Sequence, residues 1–311
     1  MADDTDVRSS VWEESLLVEP DWICDQIKRN CSDLAIVDMR GHVRTKTDEA
    51  GVQTAEYIGA RDEYLQAHIP GAVYIDWTTD IVDTLDPVPA QVAKGRQISE
   101  LFSRLGIGKS TWIVAYDAHP AMQFATRLWW VCRYFGCDNV RVLNGGWLRW
   151  LEEGRPVTTD IPERDPRRTF TALANSKWIA STSDVMKVIG RQNVCIIDAR
   201  DADQFSGRVR RGKRGGHIPG AIHLPREAIF DSPGQLKGPA ALREVISAAG
   251  IPVDEHNTTM DEHRIIAYCN GGVAATSVLF ALSMLGYSNL SNYDGSWNEW
   301  NLDDSLPVET A

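Results

Sequence analysis

Short β-branched and aromatic runs alternate with longer stretches of helical periodicity along this chain, and the whole alternation occurs twice. In the first half the pattern predicts a helix over 19–28, strands over 34–37, 73–75 and 112–116, and a helix over 125–135. In the second it predicts strands over 194–197 and 264–268 and a helix over 274–285, a stretch free of internal Gly and Pro. The landmarks keep their order. Ile-Val-Asp-Met-Arg, ending at Arg40, returns as Ile-Ile-Asp-Ala-Arg, ending at Arg200, and His-Ile-Pro-Gly-Ala begins at both His68 and His217. Gly145-Gly146-Trp147 returns as Gly295-Ser296-Trp297. Strands alternating with helices predict an α/β chain of two domains, each a parallel sheet with helices on both faces. The domains are set at 16–157 and 176–311, joined by a Pro- and charge-rich linker over 158–175. Residues 41–59 are polar and show no periodicity, so they are expected to form a surface loop.

Composition narrows the class. A chain of 311 residues that is 43% hydrophobic and 24% charged suits two globular domains. The net charge of −11 argues against a general nucleic-acid surface, which depends on Lys and Arg neutralising phosphates. No apolar run is long enough for a bilayer, and the acidic start, Met1 to Asp6, resembles neither a secretory nor a transit peptide, so no membrane contact and a cytoplasmic location are expected. Cys24, Cys31, Cys132, Cys137, Cys195 and Cys269 are irregularly spaced with no CxxC pair, which points away from a zinc site or a disulfide scaffold.

One cysteine stands apart. Cys269 follows the predicted strand 264–268, and the residues after it, Asn270, Gly271, Gly272, Val273 and Ala274, lead into a helix. Paired glycines let backbone N–H groups turn toward one point, the helix start adds its own unpaired N–H groups, and such a cradle favours a reactive thiolate. The equivalent position in the first half is Asp117, with Pro120 in its loop; the chain takes eight steps from Asp117 to Ala125 but six from Cys269 to Ala275. The first copy is therefore expected to be inert. His68 and His217, in equivalent turns, are expected to bond loop backbone. Residues 208–214 gather five cations, and Arg208 and Arg210 are the candidates for recruiting an anionic substrate to Cys269.

The duplicated Asp-x-Arg, His-Ile-Pro-Gly-Ala and Gly-x-Trp landmarks, with a strand-to-helix cysteine in the second copy alone, resemble the two-domain rhodanese family of sulfurtransferases over nearly the whole chain. The resemblance implies tandem domains, each with a central five-stranded parallel sheet, an inert first domain and an active site near their interface. It also implies that Cys269 takes a sulfane sulfur from a small anionic donor, thiosulfate or 3-mercaptopyruvate, holds it as a persulfide and passes it to cyanide or a thiol. A redox protein is among the acceptors this chemistry allows, and no metal or organic cofactor is called for. The loop Cys-Asn-Gly-Gly-Val-Ala departs from Cys-Arg-Lys-Gly-Val-Thr of thiosulfate-preferring members and from Cys-Gly-Ser-Gly-Val-Thr of mercaptopyruvate-preferring ones. Gln204 stands where a substrate-binding arginine is expected, and Arg210 aligns with a second. Two competing classes are a non-catalytic binding module, and a cysteine phosphatase, disfavoured because the sixth residue after the cysteine is Ala275 and not an arginine.

Overall fold

The computed structural model describes residues 16–163, 168–253 and 263–310, so part of the expected linker, 164–167, lies outside the described residues. The first half runs β1 (Leu17–Val18), α1 (Pro20–Lys28), β2 (Leu34–Asp38), β3 (Gly41–Thr47), β4 (Gln53–Gly59), α2 (Arg61–Gln66), β5 (Ala72–Tyr74), α3 (Gly95–Arg104), β6 (Trp112–Tyr116), α4 (Gln123–Tyr134), β7 (Val140–Leu143) and α5 (Gly146–Glu152). The second runs β8 (Ile179–Ala180), α6 (Thr182–Val188), β9 (Val194–Asp198), α7 (Ala202–Ser206), β10 (Ile222–His223), β11 (Phe230–Ser232), β12 (Gln235–Leu236), α8 (Pro239–Ala248), β13 (Arg264–Tyr268), α9 (Ala275–Met284), β14 (Leu290–Tyr293) and α10 (Ser296–Trp300).

Two five-stranded sheets result, ordered β1-β7-β6-β2-β5 and β10-β9-β13-β14-β8, with all neighbours parallel. Alternate residues of β2 enter different cores: Ala35 and Val37 face one, Leu34 and Ile36 the other. The first of these cores is continuous with Ile197, Ile265 and Ala267 of the second sheet, so a shared interior lies between the halves. Each sheet has a smaller core on its outer face. No helix among the described residues is long and apolar enough to cross a membrane.

Each repeated landmark has the same physical task in both halves. Arg40 and Arg200 fork onto Asp38 and Asp198, which also accept the hydroxyls of Tyr116 and Tyr268 at 2.7 Å. The guanidinium groups lie over the rings of Trp147 and Trp297 at 4.3 and 4.4 Å. His68 and His217 bond the carbonyls of Tyr64 and Phe205, as expected of structural histidines. These contacts fix the ends of the central strands, from which the two cysteine-type loops spring.

The halves meet through α4 and α9. Thr126 and Thr276, equivalent in the repeat, bond each other through their hydroxyls at 3.0 Å, which marks a local two-fold relation. Trp129 packs edge-on to Phe280 at 5.2 Å, and the Trp130 indole donates to the Trp178 carbonyl, so the aromatic stripe of α4 packs in the interior, as expected. Such an aromatic pair contributes about 0.5–1.5 kcal/mol beyond its buried area. The described residues of the connecting segment are not a free spacer. Thr158 pairs with His68, Phe170 packs on Phe102, and Leu173 donates to the Phe135 carbonyl.

One expectation is corrected. Residues 41–59 are a hairpin and not an irregular surface loop: β3 and β4 pair antiparallel from Gly41↔Gly59 to Thr47↔Gln53. The Asp48 side chain accepts the N–H groups of Ala50 and Val52, and Gly51 takes a φ of 73°, which completes the turn. Val43, Thr45, Gln53 and Tyr57 share one face of the hairpin. That face looks onto a polar cavity, so apolar and polar residues do not alternate along the strands.

Candidate active site

Cys269 follows directly on β13 and is buried, with 3% exposure. Its N–H donates to the Ser296 hydroxyl at 3.2 Å, and its carbonyl accepts from Trp297. Ser296 adopts a left-handed φ of 52°, a conformation that costs a non-glycine residue about 1–2 kcal/mol. Its counterpart is Gly146, where a Cβ would stand 2.4 Å from the Asp117 carbonyl oxygen. The serine thus carries strain beneath Cys269 in exchange for a hydroxyl that holds the loop. Gly272 turns the loop with a φ of 70°, and a Cβ there would lie 2.7 Å from Asp294.

The sister loop identifies what the cradle holds. In the first half the Asp117 carboxylate accepts the N–H groups of His119, Phe124 and Ala125 at 2.8–2.9 Å. Burial pushes that carboxyl up to about 7 against the pull of these donors. Phe124 and Ala125 correspond to Ala274 and Ala275. Among the described residues, no intramolecular acceptor takes the N–H groups of residues 270–275. The corresponding N–H groups of the Cys269 loop are those that, in the other copy, bind a carboxyl group built into the chain.

A cavity of about 180 Å³ opens over Cys269, and both halves line it. The second half supplies Asp201, Gln204, Arg211, Arg226, Asn270, Gly271, Val273 and Ala274; the first supplies His119, Gln123, Trp77 and the inner face of the hairpin. Asn270 donates its amide to Gln204 at 2.9 Å, and Gln204 donates to Gln53 of the hairpin at 2.8 Å, a relay that ties the cysteine loop to the first domain. Arg127 of α4 reaches the same loop. It is buried, donates to the Gly272 carbonyl at 3.1 Å, pairs with Asp294 at 2.5 Å and bonds the Ala90 carbonyl at 3.0 Å.

His119 accepts the Ala121 N–H on Nδ1 at 3.0 Å, so the neutral ring carries its proton on Nε2. Burial first, then the charges of Arg226 and His42, lower its pKa from 6.5 to about 4. The unfolded chain accepts this proton near 6.5 and the folded chain only near 4. The neutral ring's contribution to stability is therefore complete above the first value and is lost as pH falls through the second. NMR of the ring is expected to show the neutral form down to about pH 5; a midpoint at the ordinary histidine value would contradict its burial.

A family model described as a rhodanese-like domain matches residues 20–153 and again residues 181–303. The chain belongs to the rhodanese family. It is 31% identical over 310 residues to a 3-mercaptopyruvate sulfurtransferase of Escherichia coli K12, covering 97% of this chain and 99% of that protein. It is 30% identical over 243 residues to a thiosulfate sulfurtransferase of Gallus gallus, covering 78% and 81%. An Escherichia coli crystal structure, described for the rhodanese fold and catalytic mechanism of 3-mercaptopyruvate sulfotransferases, superposes with a TM-score of 0.75 at 28% identity, covering 91% and 99%.

Of the residues singled out in this rhodanese sequence, Cys269, Asn270, Gly271, Val273 and Ala274 line one cavity, with Gly272 turning the loop behind them. Arg208 and Arg210 do not line it. Arg208 is exposed and pairs with Asp203, and Arg210 spends its backbone N–H and C=O on Gly51 and Gln53 at the hairpin tip, leaving its side chain exposed. Arg211, the next residue, turns inward to the cavity instead. Arg214, also of the cluster, clamps the carbonyls of Trp300, Asp303 and Leu306. Sequence reasoning missed Arg226, Ser296, His119 and the hairpin. Ser296 was findable, because it replaces a glycine of the first copy in the repeat that contains Cys269.

Proposed function

We propose that this rhodanese is a sulfurtransferase in which the Cys269 thiolate attacks the outer sulfur of a small anionic donor, holds it as a persulfide and yields it to cyanide, a thiol or a thiol-bearing redox protein. The observation that carries this reading is the anion cradle: Asp117 fills it in the first copy, whereas Cys269 faces free N–H groups in the second. A persulfide spreads negative charge over two sulfurs, and inward N–H groups stabilise it as an oxyanion hole stabilises oxygen. The small side chains at 271, 272 and 274 leave room for the second sulfur.

Arg211 and Arg226 line the same cavity as the cysteine loop and supply the charge for a carboxylate or sulfur oxyanion, while Gln204 is engaged by Asn270 and Gln53. The hairpin forms one wall of the cavity that holds both arginines. The test is mass spectrometry of the protein after incubation with thiosulfate or 3-mercaptopyruvate. The peptide containing Cys269 should gain one sulfur atom and lose it on adding cyanide, with thiocyanate released. A protein that gains none from either donor would leave the reading of a non-catalytic module. Arg211→Ala and Arg226→Ala are each expected to raise the donor KM by roughly 10-fold or more, the worth of a charged hydrogen bond. An unchanged KM would remove that arginine from donor binding.

A further inference from the structure

The cysteine loop has no hydroxyl of its own, since residues 270–274 are Asn, Gly, Gly, Val and Ala. A hydroxyl arrives from the other half. Tyr57, on the cavity face of the hairpin, packs its ring edge-on to Trp77 at 5.2 Å and lines the space over Cys269. Its phenol oxygen accepts an N–H from Arg211 at 3.1 Å and one from the Asn298 amide at 3.4 Å. The same Asn298 nitrogen is 3.1 Å from where a Cβ on Gly271 would stand, which sets the phenol beside the cysteine loop. A phenol offers one hydrogen and two acceptor positions. Both acceptor positions are filled from the protein, so the hydrogen is left for a molecule in the cavity.

We infer that Tyr57 is a catalytic residue of this site, the acid that protonates the carbon leaving group when the sulfur donor is a thiol-bearing α-keto acid. The inference rests on the sulfurtransferase reading above. The Cys269 thiolate forms a bond to the donor sulfur of 3-mercaptopyruvate, and the bond from that sulfur to C3 breaks. The electron pair stays on C3 as the enolate of pyruvate, so C3 is reduced by two electrons while the cysteine and donor sulfurs are together oxidised to the disulfide level. The Tyr57 proton passes to C3 and gives pyruvate. The phenolate left behind lies against the Arg211 guanidinium and regains a proton from the S–H that the donor brought, which leaves the persulfide anionic in its cradle. Thiosulfate needs no such step, because sulfite departs with the electron pair and without a proton.

Two other groups are poorly placed for this task. His119 is neutral, and a neutral imidazole yields its N–H far less readily than a phenol does. The Ser296 hydroxyl is already donated to the Tyr293 carbonyl at 2.7 Å. Arg211 itself does not deprotonate, so it binds the donor and balances the phenolate without serving as the acid.

The test compares Tyr57→Phe with the wild type, following sulfur gain on Cys269 and pyruvate release in single turnovers. The substitution keeps the ring and its contact with Trp77. With 3-mercaptopyruvate the rate should fall about 10²-fold, the low end of what general acids contribute, while sulfur loading from thiosulfate, which needs no proton, should fall far less. Equal loss with both donors would reduce Tyr57 to a wall of the cavity, and no loss with either would refute the role outright. A wild type that loads from thiosulfate alone would also overturn it, since no carbon leaving group would then exist. If the wild type loaded from neither donor, the underlying sulfurtransferase reading would be the one to fail.

Discussion

Cys269→Ser is expected to lower thiocyanate formation from thiosulfate and from 3-mercaptopyruvate by roughly 10⁴-fold or more, since a nucleophile that carries the intermediate has no substitute in the site. The serine hydroxyl is nearly isosteric with the thiol, so the fold and the Ser296 contact should persist and denaturation midpoints should match the wild type. The remaining five cysteines include the buried Cys132, Cys137 and Cys195, none of which lines the cavity. Intact mass after donor treatment should therefore show no sulfur gained by the variant. Residual loading at the wild-type level would place the nucleophile elsewhere. The internal comparison strengthens the expectation: the Asp117 loop keeps the strand, the helix and the N–H donors yet fills them with its own carboxylate.

Arg127→Met is expected to cost about 3–5 kcal/mol of stability, the penalty for leaving a buried charge without its partner. Arg127 and Asp294 have side chains only 1% and 4% exposed, and the pair bridges the halves. On one side Asp294 also accepts the Val92 N–H at 2.7 Å; on the other Arg127 holds the Gly272 carbonyl of the cysteine loop. The substitution should thus lower the urea midpoint and slow sulfur loading together, because the same contacts set the position of the loop. Adding Asp294→Asn should recover part of the lost stability, as no charge is then stranded. A single variant with an unchanged midpoint would show that the pair merely fills space.

Much of this was legible because a duplication marks its own landmarks. Asp38 and Asp198, the paired His-Ile-Pro-Gly-Ala turns and the aromatic α4 recur or stand out in the chain, and their partners lie close in sequence or in register. The arginines were not legible in the same way. Residues 208–214 form an irregular segment, where no periodicity distinguishes the inward Arg211 from its exposed neighbour Arg210. Arg226 opens a short 3₁₀ helix (Arg226–Ile229) beyond β10, far in sequence from Cys269, and no pattern links the two. The hairpin escaped because Val43, Thr45, Gln53 and Tyr57 face a polar cavity, so the alternation that betrays a half-buried strand is missing.

The sequence by itself determined the α/β class, the two-fold repeat and the single cysteine at a strand-to-helix loop, since these follow from local periodicity, glycine placement and comparison of the chain with itself. Tertiary structure alone decided which groups surround that cysteine. The hairpin and His119 come from the first half, Arg211 and Arg226 from separate segments of the second, and Arg127 from the helix between the two sheets. Their convergence depends on how the halves pack through α4 and α9, a long-range arrangement that no local pattern of residues encodes.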